Sequence, residues 1–267
     1  MPLDLQGLPI AITGASSGIG LATALACARV GMPVVLAARR IDRLESGVKQ
    51  IVSQGGRAIA IPCDVTRPDD CERLVEQAEQ AFGPLYSIFA NAGYGIEGPV
   101  LDVPDEAMRS IFETNFYGTL HTIRPAMTRF LARKKGHALI CSSCVSKAGI
   151  PYLSAYSATK AAQDHIGRAL RIEVAGSGVH VSTVHPIGTD TEFSEIVTRK
   201  STGPRRARAP QAFRQTSEHV AEAVVRCLRR PKGEVWTSIP AKVVAGISVV
   251  TPGIFDWGLR RRFAGKQ

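Results

Sequence analysis

Apolar runs of strand length recur along the chain at LPIAITG (8–14), MPVVLAAR (32–39), RAIAIPCDV (57–65), LYSIFANAG (85–93), GHALICSS (136–143), VHVSTVHP (179–186) and EVWTSI (234–239). Helix-length amphipathic stretches separate them, Ile19–Val30 and Asp69–Phe82 among them. Strand and helix taking turns in this way predict βαβ units. The runs do not alternate apolar with polar positions, so they read as strands buried on both faces of a parallel sheet. The expected architecture is α/β, one doubly wound domain with a parallel sheet of about seven strands and helices on both faces. Residues 1–240 form the expected main unit of this domain, and 241–267 read as an apolar and basic extension of the same domain. The polar, aperiodic stretch RKSTGPRRARAP (199–210) reads as a loop or lid.

Composition narrows the class. A chain of 267 residues that is 45% hydrophobic is long enough to bury one large core, which excludes a disordered protein. The N-terminal MPLDLQGLPIAITG carries Asp4 where a secretion signal is basic and has no apolar core of signal length, so no secretion is expected. Six cysteines (27, 63, 71, 141, 144, 227) lie scattered through apolar segments, which suits a reduced, cytoplasmic protein. A single C-x-x-C, without a second ligand pair, leaves no structural zinc site to expect. Net charge is +10, yet residues 199–267 hold 15 Lys and Arg against 4 acids, while residues 1–198 hold 18 against 19. That basic quarter lacks interleaved aromatics and any reader module, so nucleic acid is not an expected partner.

The first candidate chemistry follows the first strand, where Thr13-Gly14-Ala15-Ser16-Ser17-Gly18-Ile19-Gly20 opens directly into a helix. Glycines at such a turn let the backbone approach a pyrophosphate whose charge sits on helix N-terminal amides, the arrangement of a Rossmann-type dinucleotide site. At the end of the second strand, where NAD enzymes place an acid on the ribose 2′-hydroxyl, this chain has Ala37-Ala38-Arg39-Arg40. Two guanidiniums with no carboxylate favour a 2′-phosphate and hence NADP(H) as the cofactor. The plainer reading of Arg39 and Arg40 is the start of a solvated helix.

The stretch CSSCVSKAGIPYLSAYSATK (141–160) offers either thiol or hydroxyl chemistry. On a helix Tyr156 and Lys160, four apart, share a face, so the ammonium is expected to favour the phenolate over its ordinary pKa of about 10. Ser143, just past the fifth strand, is placed to donate to a carbonyl oxygen that gains charge. Cys141 and Cys144, if they end a strand, lie about 10 Å apart, too far for a disulfide, and no helix is expected to begin there as thioredoxin-type pairs require. They read as small buried hydrophobes.

Seven motifs in order now resemble the short-chain dehydrogenase/reductase family over roughly residues 5–240: the Thr13–Gly20 loop, Asp64-Val65, Asn91-Ala92-Gly93, Asn115, Ser143, Tyr156-x-x-x-Lys160, and Pro186 to Thr191. The resemblance implies an oxidoreductase that interconverts an alcohol and a ketone or aldehyde, with Asn115, Ser143, Tyr156 and Lys160 as the catalytic set. It implies cofactor contacts from Gly14, Ser16, Ser17, Gly18, Ile19, Gly20, Arg39, Arg40, Asp64, Val65, Asn91, Ala92, Gly93, Tyr156, Lys160, Pro186, Ile187 and Thr191. Within that set it has Asp64 accept from the adenine amino group, Asn91 support the cofactor-side wall, and Asn115 relay through water to Lys160. It also implies a homo-oligomer. The chain departs from the family where Pro-Gly after the sixth strand is Pro186-Ile187, which loosens any analogy about substrate.

A small or lipophilic carbonyl or alcohol substrate is expected because Tyr94, Ile150-Pro151-Tyr152, Ile187, Phe193, Ile196 and Val197 can supply apolar lining. The competing class is a non-catalytic NADP-binding sensor or scaffold, whose signature would be a broken catalytic set. In 241–267, Val243 to Phe255 carries no charge and is interrupted by Pro252, too short to span a bilayer. Followed by Trp257, Leu259 and Arg260-Arg261-Arg262-Phe263, it reads either as a cap or subunit contact or as a peripheral anchor on anionic membrane.

Overall fold

The structure is a computed structural model that describes residues 1–189, 192, 197 and 214–263. From the N-terminus the elements are β1 (Ile10–Thr13), α1 (Gly18–Arg29), β2 (Val34–Ala38), α2 (Ile41–Ser53), β3 (Ala58–Pro62), α3 (Pro68–Phe82), β4 (Ser87–Ala90) and α4 (Asp105–Phe112). A π-helical turn (Glu113–Tyr117) leads into α5 (Gly118–Arg133), followed by β5 (Gly136–Cys141), a 3₁₀ turn (Cys144–Lys147), α6 (Ser154–Glu173) and β6 (Val179–His185). The chain ends with β7 (Gly188–Thr189), β8 (Arg214–Gln215), α7 (Ser217–Arg229), β9 (Glu234–Trp236), α8 (Ile239–Val250) and α9 (Pro252–Phe263).

All seven expected strands enter one parallel sheet in the order β3-β2-β1-β4-β5-β6-β9, while β7 and β8 pair separately. Successive residues of β1 show why its apolar run has no polar alternation. Ile10 and Ile12 point into a layer with Leu36, Phe89, Leu139, α1 and α7, while Ala11 points into the opposite layer with Val35, Ile88, α3 and α5. Each fully buried aliphatic such as Leu36 contributes about 1.5–3 kcal/mol, so both faces of the sheet hold the domain together. The edge strand β3 is the exception, with only Ile61 fully buried among its five residues.

Strand order reverses between β1 and β4. The chain runs from β1 outward to β3, then returns to start β4 on the other side of β1, which opens a crevice at the carboxyl ends of these two strands. The glycine loop and Asn91 lie at that crevice. No single described helix is long and apolar enough to cross a membrane; α8 and α9 together reach that length, but the chain bends by 114° at the break between them. Pro252 lies at the break and opens α9, as a residue without a backbone N–H favours.

Candidate active site

The β1–α1 loop is built by close backbone approach. Gly14 has φ of 67°, and a Cβ on it would lie 2.8 Å from Ala92 Cα; one on Gly20 would lie 2.4 Å from Gly14 O. Both positions therefore require glycine. Asn91 Nδ2 donates to Thr13 O at 3.0 Å and to Gly14 O at 3.4 Å, while its backbone N–H donates to Thr13 Oγ1 at 3.1 Å. These bonds pin the loop after β4 to the loop after β1. Ser17, extended at the N-cap of α1, makes no side-chain capping bond. The first-turn amides, among them those of Gly18 and Ile19, are thus not capped by it, the donor set that suits a dinucleotide pyrophosphate.

At the end of β2, Arg39 and Arg40 are both exposed. Arg40 Nη2 donates to Ser16 Oγ at 3.0 Å and to Ser17 Oγ at 3.3 Å, so its guanidinium lies over the glycine loop. Asp64 Oδ1 accepts from Thr66 N at 3.1 Å and Thr66 Oγ1 at 2.9 Å, which fixes the turn after β3, and Val65 is buried beside it. Val65 O also takes His121 Nδ1 at 2.9 Å, joining this wall to α5.

The second half of the site gathers on α6. Lys160 is buried, and its Nζ donates to Cys141 O at 2.7 Å while Ser142 Oγ donates to Lys160 O at 2.9 Å, which clamps α6 to the end of β5. Its ammonium also lies 5.5 Å from the Tyr156 ring centroid. The Ser143 hydroxyl acts on Tyr156, favouring its phenolate. The expectation that Lys160 holds the phenol down is corrected: burial, the largest influence, pushes the Tyr156 hydroxyl well above its ordinary value, with only the Ser143 hydroxyl acting against it. Lys160 itself is lowered by desolvation, because its ammonium is taken out of water and satisfied by one carbonyl.

Asn115 sits in the π-helical turn and is fully buried. Its Oδ1 accepts from Tyr94 N at 3.0 Å, and its Nδ2 donates to Tyr94 O at 2.9 Å and Thr159 Oγ1 at 3.0 Å. Gln163 Nε2 donates to Asn115 O at 2.8 Å. The side chain thus ties the turn after β4 to the α6 face that carries Lys160, and its backbone oxygen is held by α6. Gly93 belongs to the same contact, since a Cβ there would lie 3.0 Å from Asn115 Oδ1. An apolar cluster of Ile96, Ile111 and Ala155, with Tyr94, Val103, Met108 and Phe112 against it, packs next to Tyr156.

The thiols take no part in this geometry. Cys141 and Cys144 are free, and burial raises both. One detail differs from expectation, because a 3₁₀ turn does begin at Cys144. Ser143 caps it, in extended conformation, with Oγ accepting from Val145 N at 3.4 Å, and Cys144 N donates to Pro186 O at 2.9 Å. Ile187 is buried next to that contact. Thr191, Phe193, Ile196 and the 199–210 stretch lie outside the described residues, whereas Val197 is described and buried.

Pattern reading missed a buried polar network behind Ser143. Lys147 Nζ lies 2.6 Å from Asp164 Oδ2 and 3.2 Å from Glu234 Oε1, and His185 Nε2 faces Asp164 Oδ1 at 3.4 Å. His185 Nδ1 lies 3.2 Å from Ser143 O and 3.3 Å from Ser146 Oγ, under a Trp236 ring stacked at 4.4 Å. The donor atoms of Asp164, His185 and Glu234 lie within 4.8 Å of one another, as metal ligands do, but the positive charge between the carboxylates is the Lys147 ammonium. Arg43 and Glu192 were also missed. Only Asp164 had a visible signal: it lies four residues after Lys160, on the same face of the helix.

Comparison with known proteins agrees with this geometry. The model of the family described as short chain dehydrogenase matches residues 9–202. An uncharacterized oxidoreductase of Listeria innocua, Lin0452, is 34% identical over 232 residues, covering 86% of this chain and 94% of that protein. The ketoacyl reductase HetN of a Nostoc species is 32% identical over 258 residues, covering 94% and 88%. Among solved structures, an alcohol dehydrogenase of Thermococcus sibiricus complexed with 5-hydroxy-NADP is 29% identical with a TM-score of 0.74, covering 86% and 95%. A short chain dehydrogenase/reductase of Burkholderia phymatum in complex with NAD, at 22% identity, shares the fold with a TM-score of 0.86 over 94% of this chain and 96% of its own. A parallel sheet with its crevice between β1 and β4, glycines enforced by that crevice, and a family match spanning both halves of the site lead to one conclusion: this chain is an oxidoreductase of the short-chain dehydrogenase/reductase family.

Proposed function

We propose that the protein is an NADP-dependent enzyme that interconverts an alcohol and a ketone or aldehyde on a small, lipophilic substrate. The observation that carries the reading is the meeting of the Ser143 and Tyr156 hydroxyls, with the Lys160 ammonium 5.5 Å from the Tyr156 ring centroid and an apolar cluster packed against Tyr156. Two hydroxyls converging from different elements can hold one substrate oxygen. In the direction of reduction, Tyr156 gives that oxygen its proton and Ser143 donates a hydrogen bond to it as negative charge develops. A phenol whose pKa is raised by burial holds its proton firmly until such an oxygen arrives. Bound NADPH supplies the hydride. The α1 amides, Ser16, Ser17 and Arg40 would hold its phosphates, Asp64 its adenine, and Lys160 its ribose hydroxyls. Asn115 keeps the α6 face in register with the turn after β4.

Tyr156→Phe tests the assignment. Turnover, followed by NADPH absorbance over a panel of ketones and aldehydes, should fall by about 10²–10⁴, the contribution of one general acid, with NADPH binding unchanged. Turnover within a few-fold of the wild type would refute Tyr156 as the proton donor.

A second reading concerns the C-terminal helices. Helix α8 turns its small residues Ala241, Ala245 and Ser248 inward and leaves Val243, Val244, Ile247, Val249 and Val250 exposed. Helix α9 adds exposed Ile254 and Trp257 and ends in Arg260, Arg261 and Arg262. Aliphatic side chains outward with cations at one end fit the surface of an anionic bilayer. The full chain should float with vesicles containing an anionic lipid and sediment without it; a Val244→Asp, Ile247→Asp variant that floats equally well would refute the reading.

A further inference from the structure

Glu192 stands 152 positions from Arg40 in the sequence, yet its Oε2 lies 3.0 Å from Arg40 Nη2 and its Oε1 lies 3.0 Å from Arg43 Nη1. The Ser17 hydroxyl also favours the ionised form of this carboxylate. Arg40 in turn donates to Ser16 Oγ and Ser17 Oγ at the glycine loop. Two guanidiniums therefore hold an anion that belongs to the chain itself, and two hydroxyls lie against one of them, a set that suits a phosphate monoester. Arg43 lies one helical turn after Arg39 at the start of α2, so it presents its guanidinium beside that of Arg40.

From this arrangement we infer that Ser16, Ser17, Arg40 and Arg43 form the site for the cofactor's 2′-phosphate and that Glu192 competes with the phosphate for it. The inference rests on the NADP reading above and adds to it a second arginine and an internal competitor. An NADPH phosphate entering the site displaces the Glu192 carboxylate from both guanidiniums, whereas NADH, with a hydroxyl there, does not. Glu192 thereby lowers the affinity for the phosphorylated cofactor and narrows the gap between the two. The Arg40 hydrogen bond is the main reason the Glu192 carboxyl is held below its ordinary range, so the competitor is ionised at neutral pH. All three side chains remain partly open to water, at 44%, 53% and 30% exposure, which leaves the carboxylate free to exchange with solvent and ligand.

The sign of the effect is unusual for a site residue, because removing it improves binding. Titrations of the full chain with NADPH, NADH and adenosine 2′,5′-bisphosphate compare the wild type with Glu192→Gln, Arg43→Ala and Arg40→Ala. Glu192→Gln should bind NADPH and the bisphosphate about fourfold more tightly, since two exposed ion pairs are each worth about a factor of two, and should bind NADH as before. Arg43→Ala should weaken NADPH and the bisphosphate and leave NADH unchanged. If Glu192→Gln leaves NADPH binding unchanged or weaker while Arg40→Ala weakens it selectively, the competitor is overturned and the NADP reading stands. If the wild type binds NADH as well as NADPH and Arg40→Ala affects neither, the NADP reading fails and the inference falls with it.

Discussion

Asp164→Asn isolates the buried network behind Ser143. Asp164 has only 3% of its side chain exposed and is paired with Lys147 at 2.6 Å. Burial alone would raise its carboxyl, but the adjacent His185 and Lys147 outweigh that and hold it at about 2 against an ordinary 3.8. A carboxyl lowered by that much contributes about 2.5 kcal/mol to folding at neutral pH. Its folded value is depressed, so the stability is fully present above the unfolded value and is lost as pH falls from about 4 toward 2. Asparagine keeps the shape and removes the charge, leaving Lys147 to Glu234 alone at 3.2 Å. Urea unfolding at pH 7 should therefore show the variant about 2–3 kcal/mol less stable, a gap that stays constant down to about pH 5 and narrows below pH 4. A difference under about 0.5 kcal/mol at pH 7, or a gap that does not narrow in acid, would refute the account of Asp164 as a buried, compensated charge.

Replacing Cys141 and Cys144 together with alanine should preserve turnover and leave it independent of thiol reductant, because Lys160 is held by the backbone oxygen of Cys141 and not by its sulfur; loss of a reductant-dependent activity in the double variant would restore a redox role. Gly20→Ala places a Cβ 2.4 Å from Gly14 O and 2.8 Å from Asn91 Nδ2, so it should cost about 1–3 kcal/mol of stability and weaken dinucleotide binding, read by calorimetry; unchanged binding would show that the loop tolerates the shift.

The sequence by itself determined what depends on neighbours along the chain. Seven unbroken apolar runs identified the strands, because a strand buried on both faces has no polar positions to alternate. The glycine spacing located the β1–α1 loop, and a separation of four placed Tyr156 and Lys160 on one helical face. Tertiary structure decided whatever depends on the medium around a group or on partners distant in sequence. Spacing put an ammonium beside a phenol, but the direction in which Tyr156 shifts was set by burial, which spacing does not encode. Lys147 and Glu234 are 87 positions apart and meet because β9 docks beside β6; Arg40 and Glu192 are 152 apart and meet across the glycine loop. Nor did hydropathy reveal that α8 faces its alanines inward and its valines outward, since an element apolar all round has no periodicity from which to read its buried face. Local spacing is written in the covalent chain, whereas burial and distant pairing arise only once the strand order has brought separate segments together.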